Sequence, residues 1–159
     1  MTNSDPSRTY QFRRARLADV PAIVALLADD PLGAERENAS LPIDQRYLNA
    51  FEDIDRDPNQ YLMIATDSSE MVVGVLQVTL LPGLSRLGAK RGQIESVRVA
   101  RSHRGAGLGR MMFDQAISWC RDQECTLVQL TSDTSRADAH QFYESLGFVA
   151  SHTGYKLAL

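Results

Sequence analysis

Six residues past the middle of the chain, Arg104-Gly105-Ala106-Gly107-Leu108-Gly109, combine positive charge with backbone freedom. Glycine has no Cβ, so such a run can turn tightly and approach a ligand closely. Before it, Val97 and Val99 alternate with polar residues, as a strand does. After it, Leu108, Met112, Ala116 and Trp119 recur at helical spacing. A turn leading from strand to helix presents free N–H groups and the positive end of the helix dipole, which suits a phosphate or pyrophosphate. Arg101, Arg104 and Arg110 add charge nearby. A nucleoside triphosphate loop would end in Gly-Lys-Ser or Gly-Lys-Thr, and no lysine follows these glycines. A dinucleotide fingerprint spaces its glycines differently and expects an acid on the next strand, where Thr126 to Leu130 has none.

The elements that must hold this turn are readable in order. Tyr10 to Arg16 alternates enough for an edge strand. Asp19 is placed to cap a helix with Pro21 in its first turn and Val20, Ile23, Val24, Leu26 and Leu27 on its apolar face. Asp29 to Pro42 reads as irregular. A second helix is expected over Asp44 to Ile54. Gln60 to Thr66 and Met71 to Leu81 form strands around the turn Asp67-Ser68-Ser69-Glu70. Pro82 to Lys90 reads as a loop, and Gly92 to Ala100 as the strand that enters the glycine turn. The helix from Leu108 ends near Gln123. Thr126 to Thr131 reads as a central strand. Asp138 to Leu146 is a short helix closed by Gly147, and Phe148 to Ser151 and Tyr155 to Leu159 read as final strands. The expected architecture is an α/β (α+β) domain over 10–159, after a loose tail at 1–9. Its central sheet is mixed and mostly antiparallel, with about seven strands flanked by about four helices.

Composition narrows the function. The chain has 159 residues, 43% hydrophobic and 23% charged, enough for one domain with a core. Its formal net charge of −3 argues against a general nucleic-acid binder, which needs a basic face. No apolar run approaches the length of a membrane span, and Met1 to Ser7 lacks the apolar core of a signal peptide. The simplest compartment is the cytoplasm. Cys120 and Cys125 fit reducing conditions, and with His103, His140 and His152 scattered, no metal site is expected.

Two segments carry a family resemblance. Arg104 to Gly109 is similar to the Arg/Gln-x-x-Gly-x-Gly/Ala signature of the GNAT superfamily, the acyl-CoA-dependent N-acetyltransferases. Asp138-Ala139-His140-Gln141-Phe142-Tyr143-Glu144-Ser145-Leu146-Gly147-Phe148 resembles the Ala-x-x-(Phe/Leu)-Tyr-x-x-x-Gly-Phe segment of the same family. The order of elements agrees, so the resemblance covers about Tyr10 to Leu159. It implies transfer of an acetyl group from acetyl-CoA to a primary amine by direct attack in a ternary complex. It implies that backbone N–H groups of Arg104, Gly105, Ala106, Gly107, Leu108 and Gly109 take the cofactor's pyrophosphate, and that Val97 and Val99 offer their backbone to the pantetheine arm. It also implies that Tyr143 donates a proton to the leaving thiolate and that Glu95 serves as base.

Glu95 has a reading of its own. Period-two alternation puts it on one face with Val97 and Val99 unless a bulge intervenes, and apolar neighbours would raise its pKa toward neutrality. The bland alternative is a solvent-facing or salt-bridged carboxylate, with Arg98 as its partner. His140 is read as structural or as a rim residue. Neither cysteine lies next to a base, so both read as structural rather than as acyl carriers. Many family members carry Asn where this chain has Arg136, which leaves Arg136 open to a phosphate, an anionic acceptor or solvent. The expected partner is a small-molecule amine, with neither nucleic acid nor membrane, and homodimers are common among similar proteins. Asp29, Asp30, Glu35 and Glu37 would suit a cationic amine, whereas Arg86, Lys90 and Arg91 would suit an anionic one. Alternatives in other classes are a non-catalytic acyl-CoA sensor, a protein N-terminal or lysine acetyltransferase, and a nucleotide-binding regulator.

Overall fold

The computed structural model describes residues 9–159. All of the expected tail except Thr9 lies outside them. Five strands form one sheet in the order β1 (Gln11–Arg14), β2 (Gln60–Thr66), β3 (Val72–Leu81), β4 (Arg91–Val99) and β5 (Leu127–Leu130). Neighbours are antiparallel except β4 and β5, which run parallel and are joined by α5 (Leu108–Asp122). A parallel pair needs such a crossover. The other described helices are α1 (Val20–Ala28), α2 (Pro31–Ala34), α3 (Gln45–Arg56), α4 (Ser85–Gly88) and α6 (Ala137–Ser145).

Helices cover both faces of the sheet. One face carries Met63, Ala65, Leu76, Val78 and Ile94 against Leu108, Met112, Phe113, Ala116 and Cys120 of α5. The opposite face carries Leu62, Ile64 and Val75 against Val20, Ile23 and Val24 of α1 and Phe51 of α3. The period-two pattern of β2 and β3 therefore feeds two cores, which is why residues 62–66 and 73–76 are buried at every position. α5 approaches β3 closely because position 74 is glycine: a Cβ there would stand 2.7 Å from Met112 Sδ.

Four expectations are corrected. The sheet has five strands rather than about seven, and the described residues hold six helices rather than about four. α2 and α4 are single turns inside the two stretches read as irregular, and α4 contains the left-handed residues Arg86 and Leu87. The missing strands are the last two. Residues 149–159 are exposed at every position, including Val149, Tyr155, Leu157 and Leu159. Alternation alone does not make a strand when neither set of side chains is covered and no ladder is formed. β5 is accordingly the edge of the sheet and not a central strand. Asp19 occupies the N-cap position of α1, but its side chain makes no cap bond there. It turns instead to Arg13 and to the backbone of Arg16.

Candidate active site

The site begins with a break in register. Gln77 pairs with Glu95 and Val75 with Arg98, so Leu76 on β3 stands against two residues on β4, Ser96 and Val97. The extra residue is Ser96, in the left-handed region at φ 56°. This is a β-bulge, which bends a strand and stops regular pairing. On the other side of β4, the ladder to β5 runs only from Arg91–Leu127 to Ile94–Leu130 and ends just before the bulge. Among the described residues β4 has no ladder partner on that side from Glu95 onward, and the two strands part.

The bulge decides which side chains face where. Cross-strand partners share a face. Glu95 therefore faces with Gln77, and Arg98 with Val75, on the α1 side of the sheet. Val97 and Val99 pack with Ile94 on the α5 side. The expectation that Glu95 shares a face with Val97 and Val99 is corrected, because it counted residues without the bulge. Glu95 is exposed, and it makes no ion pair with Arg98, whose carboxylate partner is Asp30.

Beyond the parting, a turn of 3-10 helix at Arg101–His103 leads into the glycine run and then α5. Gly105 and Gly107 have φ of 77° and 82°, a conformation that favours glycine. Gly107 is the N-cap of α5 and no side chain caps the helix. Among the described residues no acceptor reaches the backbone N–H groups from Gly105 to Gly109. These are the orphan donors of a helix N-terminus, and an anion satisfies them. The arginines nearby serve the scaffold. Arg101 and Arg104 both reach Asp29, at 3.2 and 3.3 Å. Arg104 Nε donates to the carbonyl of Val99 at 3.0 Å, and Arg98 Nη1 donates to that of Val97 at 2.9 Å. Arg110 ties α5 to α6 through Ser145, at 3.2 Å. The charge expected to point at a ligand thus holds the loop in shape.

Tyr143 is fixed by the way α6 ends. Gly147 adopts φ 91°, its N–H bonds the carbonyl of Glu144, and the Phe148 N–H bonds that of Tyr143 at 3.1 Å. This is a Schellman cap, and it brings Phe148 onto Tyr143, with ring centroids 6.3 Å apart. Phe113 supports both rings from α5. Burial pushes the Tyr143 phenol above its ordinary pKa, against the opposing charges of Arg136 and Arg98, so it is protonated at neutral pH. His140 Nε2 donates to the carbonyl of Asp133, 2.9 Å away, a contact that holds the loop before α6.

One cluster was only half visible in the sequence. Asp30 follows α1, Arg98 lies on β4 just past the bulge, and Arg136 is the N-cap of α6. Arg98 Nε lies 2.9 Å from Asp30 Oδ2, and Arg136 Nη2 lies 3.6 Å from the same oxygen. Burial pushes the Asp30 carboxyl up, but the Gly33 N–H and the charges of Arg98 and Arg136 outweigh this and hold it below its usual value. Sequence reading singled out Asp30 and Arg136 separately; what joins them is the fold. Cys120 is buried, with its thiol pushed up to about 12, and burial also raises Cys125, so both are protonated at neutral pH. Among the described residues no group of three or more His, Cys, Asp or Glu side chains lies together as a metal site, and no helix is long and apolar enough to cross a membrane.

A sheet that parts beside an uncapped, glycine-rich helix N-terminus forms a crevice for an extended ligand with a phosphate end. The Acetyltransferase (GNAT) family matches residues 21–148, and the chain belongs to that family. A glucosamine 6-phosphate N-acetyltransferase from Trypanosoma brucei brucei is 35% identical over 88 residues, 55% of this chain and 58% of that protein. A mycothiol acetyltransferase from Corynebacterium kroppenstedtii is 32% identical over 94 residues, 57% of this chain and 26% of that protein. The matches thus span little more than half of one curated relative and about a quarter of the other. Among solved structures, one from Bacillus halodurans described as a transcriptional regulator has a TM-score of 0.92 at 41% identity, over 95% of this chain and all of that one.

Proposed function

We propose that the protein transfers an acetyl group from acetyl-CoA to the primary amine of a small molecule. The observation that carries this reading is the set of unpaired N–H groups from Gly105 to Gly109 beside the parting of β4 and β5. Acetyl-CoA supplies a thioester carbonyl open to attack by an amine. The backbone of Arg104, Gly105, Ala106, Gly107, Leu108 and Gly109 holds the pyrophosphate. The stretch with Val97 and Val99 guides the arm, and there its amides meet carbonyls already engaged by Arg98 and Arg104. Glu95, on the face opposite Val97, takes the proton from the amine. The Tyr143 hydroxyl, which makes no hydrogen bond with any described residue, donates a proton to the departing sulfur. A phenol kept protonated by burial suits that task.

The test is CoA-thiol release from acetyl-CoA across a panel of amines, with amino sugars, their phosphates, amino acids, polyamines, aminoglycosides and short peptides. Acceptor-dependent release is expected. Acetyl-CoA binding by calorimetry with no release for any acceptor would overturn the enzyme reading. It would favour an acyl-CoA sensor, a role in keeping with the regulator description of the Bacillus halodurans relative. Release with peptides alone would move the acceptor to protein termini or lysines.

A further inference from the structure

Buried polar atoms without hydrogen-bond partners are uncommon, and each calls for an explanation. Among the described residues there are four: Tyr10 Oη, Asp30 Oδ2, Arg98 Nε and Ser132 Oγ. Three of the four come from segments that frame the parting of β4 and β5. Arg98 lies on β4 past the bulge, Asp30 lies between α1 and α2, and Ser132 lies just past the end of β5. Arg98 Nε and Asp30 Oδ2 are 2.9 Å apart yet are not aligned for a hydrogen bond. The Arg98 side chain is only 19% exposed, and burial works against its charge. One carboxylate faces two guanidinium groups, so positive charge is in surplus. Glu37 acts on Arg98 as well, but more weakly than Asp30, and its carboxylate already accepts the Tyr47 hydroxyl at 2.7 Å. Arg136 is partly open to solvent and borders a cleft of about 360 Å³ along Ser135, Ala137, Asp138 and Ala139.

We infer that Arg98 and Arg136 form an anion site that selects amine acceptors bearing a phosphate or carboxylate. The inference rests on the acetyl-transfer reading above and adds the class of acceptor. Position argues for the acceptor rather than the cofactor. The uncapped N–H groups for a pyrophosphate lie at the start of α5, whereas the charges of Arg98 and Arg136 reach the Tyr143 phenol, at the reacting end. A planar guanidinium can hold a carboxylate or phosphate through two parallel bonds, and two such groups can share one anion. An anion entering the cluster would fill the donors that Asp30 leaves idle and balance the surplus charge. Asp30, held by the Gly33 N–H at 2.6 Å, keeps both guanidinium groups aimed at one place.

Matched acceptor pairs test this: glucosamine with and without a 6-phosphate, ethanolamine with and without an O-phosphate, and propylamine against β-alanine. The charged member of each phosphate pair should have a kcat/KM about tenfold or more above the neutral one, as two charge-assisted bonds provide. Comparison of β-alanine with the phosphates separates carboxylate from phosphate recognition. Arg136→Gln should shrink that preference about tenfold through the acceptor KM, and Arg136→Lys should restore part of it. Equal use of charged and neutral acceptors would overturn the inference. So would an Arg136→Gln variant with a raised acetyl-CoA KM and an unchanged preference, which would give Arg136 to the cofactor. A second readout does not depend on turnover. Inorganic phosphate titrated into CoA-saturated protein should bind at one further site, lost in Arg136→Gln; no such binding also overturns the inference. If no amine releases CoA while this phosphate site persists, the acetyl-transfer reading falls and the anion site stands.

Discussion

Two buried or half-buried aspartates sit among arginines in this molecule, and they are wired differently. At the corner before α1, Asp19 meets Arg13 through both oxygens, at 2.7 and 3.0 Å, and one oxygen also accepts the Arg16 N–H at 2.7 Å. One negative charge meets one positive charge, and every donor is aligned. At the parting of β4 and β5, Asp30 faces two arginines through one oxygen, neither in hydrogen-bond alignment. The first arrangement is complete in itself. The second leaves charge and donors to spare. An ion pair that serves only the fold closes its own bonds, whereas one that awaits a ligand keeps them open.

Substitutions can sharpen or break this contrast. The largest effect is expected at the open corner. Tyr143→Phe should lower turnover about a hundredfold or more, the usual scale for a positioned proton donor, with little change in acetyl-CoA affinity. Rate assays and calorimetry read the two quantities, and a variant with full rate removes Tyr143 from the proton path. At the closed corner the effect should fall on stability alone. Asp19→Asn should cost about 2 kcal/mol in urea unfolding, because a charged hydrogen-bonded group leaves Arg13 behind, and kcat should hold.

The same corner predicts a pH dependence. The Arg13 guanidinium beside Asp19 holds its carboxyl below the usual value of 3.8, against the opposing effect of burial. Its contribution is therefore present above about pH 4 and lost as pH falls through the lowered value. Unfolding followed from pH 5 downward should show the parent losing stability in that window and Asp19→Asn losing less. Parallel curves for the two proteins would show that the pair is not what fails in acid. The smallest effect is expected from Glu95→Gln. An exposed base shares its work with solvent, so turnover should drop about tenfold and the acidic limb of the pH–rate profile should flatten. A profile that overlays the parent's places the base elsewhere.

Local signals were legible in the sequence and distant ones were not. The glycine run, α5 and the Gly147 cap depend on neighbours within a few residues, and each stands where its spacing put it. Nothing in Ile94-Glu95-Ser96-Val97 announces a left-handed serine, because the bulge is a property of pairing with β3. Plain alternation therefore puts Glu95 on the face of Val97 and Val99 and the bulge puts it on the other, while all three are strand residues as their pattern implies. The Asp30, Arg98 and Arg136 cluster joins three elements far apart in the chain, and no spacing rule could assemble it. Tyr155, Leu157 and Leu159 alternate as a strand should, but their side chains remain uncovered.

The bulge also has a consequence for chain length. Without Ser96, plain alternation would run Ile94, Glu95, Val97, Arg98, Val99, and each of these would keep the face it now has. Ser96 thus inserts one residue without disturbing which layer its neighbours serve, and what it changes is the path of the strand. A deletion of Ser96 should fold with both cores intact and let β4 continue alongside β5. Such a protein would be a closed counterpart of this one, stable and unable to admit acetyl-CoA. The crevice would then be encoded by a count of residues rather than by their identity.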